Sequence, residues 1–124
     1  MASEMLHEDA EKLGPPVVDR HRAIVSLMEE LEAVDWYDQR AAATEDDALR
    51  AILVHNRDEE KEHASMALEW LRRQDPVLDA HLRKYLFTDG PIGAREAEEE
   101  AATAPASPVN DDLAIGSLRL AAEG

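Results

Sequence analysis

The sequence predicts an all-α protein: an antiparallel hairpin of two long helices plus a short C-terminal helix, half of a four-helix bundle to be completed by dimerisation. Three observations carry this expectation. Apolar residues recur at steps of three and four along two long stretches. The connection between those stretches is short, which turns the second helix back along the first. Nowhere does the chain alternate apolar and polar residues in the manner of a strand.

Residues 1–15 lack a sustained apolar stripe and are expected to be disordered, with Pro15-Pro16 marking the entry to the first ordered element. From Val17 to Ala43 the stripe is Ala23, Leu27, Val34, Tyr37 and Ala41, widened by Ile24 and Leu31. Thr44, with Asp47 three residues on, predicts the next N-cap. A second helix over Glu45–Arg73 then carries Leu49, Leu53, Asn56, Glu60, Ala64, Ala67 and Leu71 on one face. Its other side, with Asp58, Glu62, Glu69, Arg72 and Arg73, reads as solvated. Asp75-Pro76 is a further N-cap with proline at the first helical position, opening a short helix to Leu86 that stops before Asp89-Gly90-Pro91. The helical domain is therefore expected over residues 16–92. Residues 93–110, rich in Ala, Glu, Ser and Pro, predict a flexible acidic linker. Residues 111–124 place Leu113, Ile115 and Leu118 at the end of that tether, the form of a docking peptide, with a frayed end or a further helix as the alternative.

A chain of 124 residues is at most one domain, and this one holds a single Phe and two Trp. A core so short buries only ~60% of its unfolded surface, so association is expected on stability grounds alone. The net charge of −15 argues against a nucleic-acid partner, which would need Lys and Arg to displace counterions. It suits a protein that attracts cations. The absence of Cys excludes thiolate metal sites and iron–sulfur clusters. No signal core and no run of ~20 apolar residues is present, so no membrane is involved and a soluble, cytoplasmic protein is expected.

Polar residues on the apolar stripes carry the chemistry. Glu30 falls among Ala23, Leu27, Val34 and Tyr37, and Glu60 falls among Leu53, Ala64 and Ala67, with His63 one turn along. A carboxylate on such a face is costly unless it is paired or bound to a metal. Two antiparallel helices can point Glu30, Glu60 and His63 at one place, and the donor set of two carboxylates and an imidazole suits iron or manganese. Four-helix di-metal proteins use one Glu from each of two helices and Glu-x-x-His from the other two. This chain offers one of each, so the remaining half must come from a second copy. The bland alternative pairs Glu60 with Arg57 and leaves His63 as a satisfied core residue. A second Glu-x-x-His, Glu4 to His7, lies in the expected disordered start. Glu29 and Glu32 flank the stripe outward, His55, Glu59 and Glu62 share an outward face open to adventitious metal, and Trp36 and Tyr37 are ordinarily packing residues.

Several stretches closely resemble encapsulated ferritin: His21 to Ser26, Glu29-Glu30-Leu31-Glu32-Ala33-Val34-Asp35-Trp36-Tyr37-Asp38-Gln39-Arg40, His55 to His63, and Leu68 to Arg73. The likeness covers about residues 17–92. Separately, Leu113-Ala114-Ile115-Gly116-Ser117-Leu118-Arg119 resembles the peptide that directs cargo into encapsulin shells. The resemblance implies a ferritin-like half-bundle and a ferroxidase that oxidises Fe(II) with dioxygen at a di-iron site between two chains. It implies two irons per dimer interface, with Mn, Ca or Zn able to occupy the same donors in a crystal. Fe(III) would then pass to an encapsulin nanocompartment for storage. On that likeness Glu30, Glu60 and His63 are the di-iron ligands, Tyr37 is their neighbour, and Glu29, Glu32 and Trp36 form an outer entry site. Dimers would be arranged in a decameric ring inside the shell. The alternatives are a non-catalytic iron-binding cargo module and a di-manganese or di-iron oxidase or peroxidase of another class.

Overall fold

The computed structural model describes the backbone of residues 5–103 and side chains as far as residue 98. Five helices follow in order: α1 (Ala10–Leu13), α2 (Pro15–Ala43), α3 (Asp47–Gln74), α4 (Pro76–Tyr85) and α5 (Ile92–Thr103). No strand occurs among the described residues. The chain divides after Leu82 into two units.

The first unit is built on α2 and α3, which pack along their length. Cross-helix partners fix their direction. Arg50 donates to the Ala41 and Thr44 carbonyls, Arg57 to Asp38, and His63 lies beside Glu30. As one residue number climbs, the other falls, so the helices are antiparallel. The expected hairpin is present.

Local chemistry explains the boundaries. Gly14, at φ +83°, adopts a conformation that side chains rarely tolerate, and Pro15 and Pro16 then start α2 where missing N–H groups cost nothing. Thr44 is extended and stops α2. It does not cap α3 as expected; its hydroxyl accepts from the Asp46 N–H, and Asp46 Oδ1 accepts from Leu49 N at 2.9 Å. Three Thr/Asp positions compete in this turn, and Asp46 has the carboxylate one turn ahead of an orphan N–H. Asp75 caps α4 as expected, accepting from Val77 N and Leu78 N at 3.0 Å each. Arg72 ties α3 to α4 by pairing with both Glu69 and Asp79. Arg72 and Arg73 together hold the Glu69 carboxyl down to about 2.

Two stretches expected to lack order contain helix. Ala10–Leu13 forms one turn that contacts α2, its hydrogen bonds running from Leu13 N to Asp9 O and from Gly14 N to Ala10 O. In the second unit, α5 covers Ile92–Thr103, the first part of the expected linker. Ala, Glu and Arg are strong helix formers, and the lack of an apolar stripe does not prevent a helix. The apolar patch Leu113–Leu118 lies outside the described residues.

Burial in the hairpin is sparse. Ala41, Ala64 and Leu71 are the buried side chains, each 5–6% exposed, and they mark the seam. Ile24 and Leu31, which widen the α2 stripe, remain about half exposed, as do Ile52 and Met66 on α3. Two helices bury one face each and leave their apolar flanks to solvent.

Candidate metal centre

Glu30 sits midway along α2, and Glu60 and His63 sit one turn apart midway along α3. Antiparallel packing brings the three together across the seam. His63 Nδ1 is 3.1 Å from Glu60 Oε1 and 3.7 Å from Glu30 Oε1. One donor atom from each residue lies within 4.8 Å of the other two. Among the described residues this is the group of carboxylate and imidazole atoms that converges so closely. The side chains of Glu30 and Glu60 are about a quarter exposed and His63 somewhat more, so the cluster opens to one side of the seam.

The electrostatics follow from two carboxylates meeting. A hydrogen bond with Glu60 raises the Glu30 carboxyl above the ordinary range, and partial desolvation adds to it. Glu60 is pushed the other way, because it accepts from Glu30 and from His63. The hydrogen bond to Glu60 raises His63. The two carboxyls are thus pushed in opposite directions, Glu30 toward holding its proton and Glu60 toward giving it up. A cation bound among the three donors would offset the repulsion between the two carboxylates.

Arg57 does not pair with Glu60. Its Nη1 donates to Asp38 Oδ1 at 2.8 Å across the seam and its Nε to Asp58 Oδ1 at 3.1 Å. Both carboxylates raise the guanidinium further above its ordinary value. The bland sequence reading of Glu60 thus meets a different partner set. Asp38 is the contributor that sequence reasoning missed; it lies 19 residues from Arg57, and no local pattern links them.

The structure does not bring Glu29, Glu32, Trp36 or Tyr37 into the cluster. Glu29 is exposed, Glu32 half-buried and Trp36 49% exposed. Arg40 lies over the rings of Trp36 and Tyr37, at 5.9 and 5.6 Å from their centres. Tyr37 stands two turns from Glu30, roughly 10 Å along the axis at 1.5 Å per residue. His55, Glu59 and Glu62 likewise form no converging group within one chain. In the second Glu-x-x-His copy, His7 is exposed and Glu4 lies outside the described residues.

A hairpin of two long helices with such a cluster on its seam is a ferritin-like half-bundle. The EncFtn-like family profile matches residues 5–89. The chain belongs to the EncFtn-like family. It is 56% identical to the encapsulated ferritin-like protein of Rhodospirillum rubrum, over 95% of this chain and 90% of that one. It is 54% identical to the ferritin-like protein of Thermotoga maritima over 79% and 84% of the two chains. The encapsulin nanocompartment cargo protein EncC of Myxococcus xanthus is 36% identical over 77% of this chain and 80% of its own. Among solved structures, protein ne0167 from Nitrosomonas europaea superposes with a TM-score of 0.68 at 59% identity, covering 70% of this chain and 96% of that one.

Proposed function

We propose that this protein is a ferroxidase that takes Fe(II) as substrate between two copies of the chain and delivers Fe(III) to the interior of an encapsulin shell. The observation that carries the reading is the convergence of Glu30, Glu60 and His63 within 4.8 Å from two helices. Hard carboxylate oxygens favour the higher charge of Fe(III), which helps drive oxidation by dioxygen. Each Fe(II) supplies one electron, so two irons held together supply a pair.

One chain offers two carboxylates and one imidazole; a two-fold axis through the cluster makes four and two, the complement of a bridged pair of ions. The flanking surface supports such an axis. At about 100° per residue, Ile52, His63 and Trp70 fall within about 20° of one another round α3. Ile52 is 57% exposed and Trp70 38% exposed, so the cluster opens beside an uncovered apolar face. Glu29, Glu32 and Trp36 are proposed as an outer cation path, with Tyr37 behind the ligands, and decameric assembly remains part of the same proposal.

The names of the M. xanthus and R. rubrum relatives support a shell partner. The R. rubrum match omits only about 5% of this chain, so it extends into residues 111–124. We assign shell docking to Leu113-Ala114-Ile115-Gly116-Ser117-Leu118 and location to the lumen of a cytoplasmic nanocompartment; co-purification with co-expressed shells is the readout.

For the activity, Glu60→Ala and His63→Ala are compared with the parent by Fe(III) absorbance and by dioxygen consumed per iron added. Loss of at least tenfold in initial rate is expected for either, the usual scale for removing a group that acts on the reacting metal. Unchanged rates would overturn the ligand assignment. Metal binding without dioxygen uptake would instead make the protein an iron-binding cargo module.

A further inference from the structure

Arg57 stands three residues before Glu60, the spacing at which side chains meet on a helix surface. Its side chain is 23% exposed and within reach of the seam. An arginine in that place can pair with Glu60 and occupy the oxygens a metal needs. Here its donors are taken elsewhere: Asp38 receives Nη1 from across the hairpin, and Asp58 receives Nε from the next position on α3. Asp58 also holds Lys61 at 3.5 Å, so the cations on both sides of Glu60 in sequence are gathered away from it. Glu60 is left to His63 and Glu30.

We propose that Asp38, with Asp58, is a positioning residue for the metal centre: by holding Arg57 it keeps a guanidinium off Glu60 and leaves that carboxylate free to ligate. The proposal rests on the reading of Glu30, Glu60 and His63 as metal ligands, and it extends that reading to residues that touch no metal. A plain structural role for the Arg57–Asp38 pair, tying α2 to α3, makes a different prediction. If the pair only ties the helices, losing either partner has the same effect. If Asp38 restrains a competitor, losing Asp38 is harmful, losing Arg57 is not, and losing both is harmless again.

The test is anaerobic Fe(II) binding to the full-length protein by equilibrium dialysis, with thermal unfolding followed in parallel. Asp38→Asn, nearly isosteric, is expected to weaken binding about fivefold, the size of one well-formed exposed ion pair at Glu60. Arg57→Gln is expected to bind as the parent does, and the double variant to recover parental affinity. The proposal is overturned if Asp38→Asn binds like the parent, or if Arg57→Gln weakens binding as much as Asp38→Asn. Should Asp38→Asn lose helicity, Asp58→Asn with and without Arg57→Gln is read by the same criteria. A parent that binds no better than Glu60→Ala marks failure of the ligand reading itself, which is a distinct outcome from failure of the restraint.

Discussion

Glu30 and Glu60 meet across the seam, and two full negative charges there would push α2 and α3 apart. The opposite shifts of the two carboxyls relieve this, Glu30 being raised and Glu60 lowered. Relative to ordinary values of 4.5 and 6.5, Glu30 and His63 hold their protons more tightly when folded. Their contribution to stability is complete below those values and is lost as pH rises through the raised folded ones. Glu60 acts in the opposite sense: its lowered folded value gives a contribution present above 4.5 and lost on acidification. The metal-free protein is therefore expected to melt at lower temperature as pH rises above 6.5, where His63 loses its proton, and His63→Gln to reduce that fall. Circular dichroism melts in the presence of a chelator measure it; a Tm that climbs over this interval contradicts the stabilising pairing of His63 with Glu60 and Glu30. The three donors themselves were legible in the sequence, because polar residues on an apolar stripe need a reason to be there. Arg57 was legible only as a possible partner of Glu60. Its actual partner, Asp38, is 19 residues away and becomes a neighbour only when the hairpin closes.

At the level of the helices, length and direction followed from apolar periodicity and short turns, whereas ends depended on finer competition. Asp75 was readable as a cap because proline follows it and narrows the choices. Thr44, Asp46 and Asp47 offered no such uniqueness, and the geometry of the turn selected Asp46. The α5 helix was missed for a related reason: an Ala/Glu-rich stretch has high intrinsic helix propensity but no stripe to announce it. Helix faces bear the next prediction. Ile52 lies on the same side of α3 as His63, three turns away, and is more than half exposed. Ile52→Glu keeps a good helix former while placing charge on that face. Sedimentation velocity is expected to find the variant monomeric at concentrations where the parent associates, with far-UV dichroism of the monomer retained. Equal association of both proteins would remove this face from the proposed two-fold interface.

For the molecule as a whole, the shortage of buried side chains matters more than any single contact. Two long helices sealed by Ala41, Ala64 and Leu71 leave Ile24, Leu31, Ile52 and Met66 uncovered, and a chain of this size has little surplus stability. On the proposed reading, association and metal binding are accordingly expected to stabilise it together, since each would bind the folded hairpin and not the unfolded chain. The tail is proposed to serve a separate function, docking to the shell. Removing residues 111–124 is expected to leave the rate of Fe(II) oxidation within about twofold of the parent, because that segment supplies none of Glu30, Glu60 and His63. Retention in co-expressed shells should be lost; truncated protein that still co-purifies with shells would refute the docking assignment. The sequence by itself determined the all-α hairpin, its turn positions and the residue types Glu30, Glu60 and His63, because periodicity and capping are local in the chain. Only the tertiary structure decided that these three donors converge, that Arg57 is held by Asp38, and which apolar residues stay uncovered. Those depend on the rotation and register of one helix against the other, and no local stretch of sequence encodes either.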